Sequence, residues 1–62
     1  MTEEEIRRLR HDLRTPLTIV AGFAEVLAGE RPISDADRRE YATRIQDAAV
    51  DIRQILDQAL NL

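Results

Sequence analysis

The 62-residue sequence contains no cysteine, no tryptophan and no lysine, and only two glycines and two prolines. Without cysteine there can be no disulfide and no thiolate metal ligand, and a single histidine is a poor nucleus for any other metal set. One phenylalanine and one tyrosine are the only aromatic side chains, and the net charge is −3. Both facts argue against a nucleic-acid partner. No apolar run approaches the roughly 18–20 residues of a membrane span. The acidic start Thr2-Glu3-Glu4-Glu5 is unlike a signal peptide. The segment therefore reads as soluble, with no direct membrane contact. Chains below roughly 70–80 residues rarely build a self-sufficient core. With disulfides and thiolate metal sites excluded, oligomerisation is the remaining route to stability, and the 44% apolar content supports it.

What is present is helical periodicity. Thr2 can cap a first helix, with Glu5 at the capping-box position and three glutamates facing the positive end of the helix dipole. Ile6, Leu9, Leu13, Pro16, Val20, Phe23 and Leu27 follow in alternating steps of three and four, a heptad seam with Ile6 at a and Leu9 at d. Leu17 and Ala24 widen it on the e side, and Ile19 and Val26 on the g side. Gly29 is the expected C′ residue, and Pro32 prevents resumption. Ser34 caps a second helix, with Asp35 and Asp37 in its first turn. Its seam is Tyr41, Ile45, Ala48, Ile52, Ile55, Ala59 and Leu62, flanked by Ala42, Ala49 and Leu56, and no cap is evident after Asn61-Leu62. The expected fold is all-α: one domain over 1–62, with helix 1 over about 3–28, a turn at 29–34 and helix 2 over about 35–61. Two wide apolar stripes cannot be covered by one hairpin, so the hairpin is expected to homodimerise into an antiparallel four-helix bundle.

One stretch breaks the local rules. Pro16 lies deep inside helix 1, where proline costs about 3 kcal/mol or more. Five residues before it stands His11, the only histidine. His11 takes heptad position f, opposite the seam, and shares its face with Arg7, Arg8, Arg14 and Thr15 at i±3 and i±4. Three guanidinium groups and a hydroxyl around an imidazole suit a phosphate or a carboxylate-rich surface. The imidazole is itself a competent nucleophile near neutral pH. Asp12 is positioned to fix the imidazole tautomer and accept a proton, or to pair with Arg8 at i,i+4. Pro16 has no N–H, so the Asp12 carbonyl loses its helical partner and the backbone beside the histidine is loosened. A lone exposed histidine is most often a solvated side chain. The concentration of His11, Asp12, Arg14, Thr15 and Pro16 within six residues weighs against that here.

His11-Asp12-Leu13-Arg14-Thr15-Pro16-Leu17 resembles the H-box of sensor histidine kinases, in the dimerisation and histidine-phosphotransfer (HisKA-type) domain, and the resemblance extends over essentially the whole chain. It implies that His11 accepts the γ-phosphoryl group of ATP and relays it to an aspartate of a response-regulator receiver domain. It implies that Asp12 is the general base, that Thr15 positions water for phosphatase activity, that Arg14 contacts phosphate or partner, and that Pro16 is a hinge. The implied partners are a second copy, the receiver domain and the kinase ATP-binding domain. No cofactor is expected on the chain itself, because ATP and magnesium belong to that ATP-binding domain. Nothing here resembles the domain's Asn- and Gly-containing boxes, since Gly22 and Gly29 are isolated. The chain is thus expected to be inactive alone, a piece of a larger cytoplasmic kinase region whose parent is free to be membrane-anchored. Two other readings are a structural dimerisation or signal-relay hairpin and a stand-alone dimeric phosphotransferase. The monomeric phosphotransfer type carries lysine after its histidine, and this sequence has none.

Overall fold

A computed structural model describes residues 1–61. It contains two helices, α1 (Glu3–Ala28) and α2 (Asp35–Leu60), packed against each other as an antiparallel hairpin. The capping box closes as the sequence requires. The Thr2 backbone N–H donates to Glu5 Oε1 at 3.0 Å, and the Glu5 N–H donates to Thr2 Oγ1 at 3.1 Å. Hydrogen bonding from the Thr2 backbone N–H, and then from the Thr2 side chain, to the ionised carboxylate holds the Glu5 carboxyl below its ordinary pKa. Ser34 caps α2 in the same manner, accepting from the Asp37 N–H at 3.0 Å.

Two ends differ from expectation. Gly29 is the C-cap of α1 in an extended conformation (φ −75°, ψ 172°), not a left-handed C′ residue. The chain leaves α1 directly into the extended turn toward Pro32, so no left-handed reversal is needed. Asn61 does cap α2: it adopts φ 56°, ψ 41°, and its N–H donates to the Asp57 carbonyl. Asparagine enters this region at low steric cost because its side chain is short and polar. Helix 2 therefore ends at Leu60, one residue before the expected limit. Leu62, the last expected seam residue, lies outside the described residues.

The seam forms along the contact between the helices. Leu9, Leu13, Val20, Phe23 and Leu27 of α1 are half-buried, as are Tyr41, Ile45, Ile52, Ile55 and Ala59 of α2. Among the described residues only Pro16 and Ala48 are buried. Near the turn the Phe23 and Tyr41 rings stack with centroids 5.2 Å apart. The hairpin measures 46 × 18 × 11 Å, one helix deep. It exposes 5303 Å², whereas a compact protein of its mass exposes about 4,100 Å². Leu17, Val26 and Val50 are among the large apolar side chains left exposed.

In an antiparallel pair the e positions of both helices open onto one face and the g positions onto the other. On the e side stand Arg10, Leu17 and Ala24 with Asp35, Ala42, Ala49 and Leu56. On the g side stand Asp12, Ile19 and Val26 with Arg44, Asp51 and Gln58. Ile6, a seam residue by its period, is 43% exposed because it lies toward the open end of the hairpin.

Candidate functional site

The outward position of His11 follows from the heptad, and the structure bears this out: its side chain is 86% exposed. The backbone of α1 runs unbroken through Pro16, the one buried residue of the helix. A buried proline thus anchors the turn that presents His11, while leaving the Asp12 carbonyl without a helical donor. Two residues on, Thr18 Oγ1 donates to the Arg14 carbonyl at 2.8 Å.

His11 Nδ1 lies 3.5 Å from Asp12 Oδ1. Adjacent residues on a helix point about 100° apart, so this contact needs the two side chains to turn toward each other. It leaves the other ring nitrogen, Nε2, free of protein partners. Asp12 approaches the histidine, and no salt bridge with Arg8 forms. Arg7, Arg8, Arg10 and Arg14 have no carboxylate within salt-bridge distance among the described residues. On α2, Arg38 pairs with Asp35 at 3.2 Å and Arg44 with Glu40 at 3.9 Å, while Arg39 and Arg53 have no ion pair among the described residues.

Two open grooves meet at Asp12. One, of about 390 Å³, is lined by Glu4, Arg7, Arg8, His11 and Asp12. The other, of about 330 Å³, lies between the helices at the open end and includes Arg8, Leu9, Asp12, Ile55 and Gln58. Of the four residues expected around the imidazole, Arg7 and Arg8 share its groove, whereas Arg14 and Thr15 stand outside it. Glu4 was not among the residues singled out from the sequence. Its signal was the heptad itself, since Glu4 occupies position f one repeat before His11. No group of three or more His, Cys, Asp or Glu side chains capable of holding a metal occurs among the described residues. No helix among them is long and apolar enough to cross a membrane.

The family model for the His Kinase A (phospho-acceptor) domain matches residues 1–62. The chain belongs to the HisKA family. Its curated relatives are histidine kinases. An uncharacterized sensor-like histidine kinase R01002 of Rhizobium meliloti is 33% identical over 54 residues, covering 84% of this chain and 10% of that protein. Sensor histidine kinase YcbM of Bacillus subtilis is 25% identical over 65 residues, covering 98% of this chain and 21% of the relative. Cell-division control histidine kinase PdhS of Brucella ovis is 30% identical over 61 residues, covering 95% and 6%. The HisKA segment thus spans between about a twentieth and a fifth of the length of these relatives. No solved structure matches the chain. Two helices packed as a hairpin, with the histidine on the outer face of the first, is the architecture this HisKA domain presents.

Proposed function

We propose that this HisKA hairpin is the dimerising phospho-acceptor of a two-component kinase, with His11 Nε2 as the accepting atom. The observation that carries the reading is the pairing of Nδ1 with Asp12 on an otherwise open imidazole. With the Nδ1 proton held toward the carboxylate, Nε2 keeps its lone pair outward. Nε2 attacks the γ-phosphorus of ATP, the bond from phosphorus to the β,γ-bridging oxygen breaks, and ADP leaves with that electron pair. The positive charge arriving on the ring is relieved as the Nδ1 proton passes to Asp12.

ATP and magnesium are supplied by a separate ATP-binding domain. The phosphoryl group then moves from Nε2 to an aspartate of a receiver domain. Thr15 positions water in the reverse, phosphatase direction, Arg14 contacts phosphate or partner, and Pro16 is the hinge. A second copy covers the e face, which accounts for the large exposed surface of the single hairpin. The site works on the cytoplasmic side.

Phosphoramidate labelling followed by exposure to a panel of receiver domains from the source genome tests this. Acid-labile phosphate on His11 that passes rapidly to one receiver is the expected result. Label that stays on His11 against every receiver, with the dimer intact, assigns the hairpin to dimerisation or signal relay alone. Thr15→Ala in the full kinase is expected to spare labelling and to lower regulator dephosphorylation about tenfold or more. Undiminished phosphatase activity would remove Thr15 from the site.

A further inference from the structure

We infer that Arg7 and Arg8 form a guanidinium clamp for the phosphoryl group carried on His11. The inference rests on the phospho-acceptor reading and adds two residues to it.

Arg7 and Arg8 stand four and three residues before His11, one helical turn away on its own face. They line the same open groove as the imidazole. Among the described residues no carboxylate lies within salt-bridge distance of either. Arg38 and Arg44 hold acidic partners one turn away, whereas the other arginines are likewise unpaired among the described residues; what sets Arg7 and Arg8 apart is the groove they share with His11. The two acids nearest this groove leave the pair free. Asp12 turns to the imidazole at 3.5 Å, and Glu4 makes no ion pair. An uncommitted guanidinium pair beside a nucleophile matches a dianionic phosphoryl group, because each planar fork donates two parallel hydrogen bonds to its oxygens. Lysine would supply charge without the fork, and the sequence contains none. The Nδ1 side of the ring faces Asp12, so a phosphoryl on Nε2 projects away from the carboxylate, and Arg7 and Arg8 are the cations that line the groove with the ring. The clamp does no bond-making of its own. It holds the incoming donor and then the phosphorylated ring.

The test uses the ¹⁵N-labelled chain treated with phosphoramidate. Nε2 attacks phosphorus, the P–N bond of the donor breaks, and ammonia leaves. Phosphohistidine is followed by ³¹P NMR and the arginine Nε–H resonances by ¹⁵N spectra. Phosphorylation should shift the Arg7 and Arg8 Nε–H signals while those of Arg38 and Arg44 stay in place. The double variant Arg7→Gln, Arg8→Gln should label roughly three- to tenfold more slowly, the worth of two exposed charge pairs. It should also raise the second ionisation of the bound phosphoryl group in a ³¹P titration. Arg7→Lys, Arg8→Lys should recover the labelling rate but not the full change in ionisation, because it restores charge without the bidentate fork. If phosphohistidine forms while both arginine signals stay fixed, or if the Gln variant titrates like the parent, the clamp is wrong and the phospho-acceptor reading stands. If no phosphohistidine forms at all, both fall.

Discussion

The two faces of the hairpin flank the same seam but expose opposite chemistry. On the e face, Leu17, Ala24, Ala42, Ala49 and Leu56 form an uncharged stretch bounded by Arg10 and Asp35, and Leu17 is 51% exposed. On the g face, Ile19 and Val26 lie among Asp12, Arg44, Asp51 and Gln58, and the groove at the open end is mixed in polarity. An apolar face of small and branched side chains allows close helix approach and gains by losing water. A mixed face keeps its charges solvated and accessible. On the proposed reading the dimer forms through the e face, while His11 projects from position f away from the seam, so the two tasks do not compete for one surface.

Changes that ignore the division should have the largest effect. Ile52→Asp puts an unpaired charge into the seam that both faces depend on. It should cost at least about 3 kcal/mol and abolish cooperative melting by circular dichroism. An intact dimer with an unchanged melt would refute the seam. Next in size, Leu17→Asp should weaken the dimer about tenfold or more in sedimentation, while the matching g-face change, Ile19→Asp, should leave dimerisation within about threefold. Equal effects from both would erase the distinction between the faces. Pro16→Ala should restore a helical hydrogen bond to the Asp12 carbonyl and stabilise the hairpin by about 1–2 kcal/mol, net of the lost ring packing. A lower melting temperature would mean that the buried ring outweighs the missing bond.

The smallest effect belongs to Glu5. Its carboxyl is lowered by the hydrogen bonds from Thr2, so its contribution to stability is fully present above the ordinary carboxylate range. It is lost as pH falls through the lowered value. Glu5→Gln should flatten that part of the acid unfolding curve, and an unaltered acid limb would show that the capping box contributes nothing measurable.

Much of this architecture was legible because helical periodicity is a local code. The seven-residue pattern fixes the angular position of every side chain on its own helix. It thereby fixed the seam and the outward placement of His11, while Thr2 and Ser34 marked the two helix starts. The same code misjudged both C-terminal caps. Whether Gly29 or Asn61 turns left-handed depends on where the chain goes next, and a pattern of apolar residues carries no information about that. Around His11 the spacing alone allowed Asp12 to join either the imidazole or Arg8, and placed four side chains near the ring. Rotamers chose the imidazole and gathered only Arg7 and Arg8 into its groove.

By itself, then, the sequence determined two long amphipathic helices, their starts, the buried stripe of each and a histidine facing outward. Each of these follows from interactions within about one turn of a single helix or from a strict period along it. Tertiary structure decided which flank of α1 shares a face with which flank of α2. It also decided that Phe23 meets Tyr41 at 5.2 Å and that Pro16 and Ala48 are the most deeply covered residues. Those outcomes depend on the path of the turn and the register of two separate helices, and a period read along one helix fixes neither.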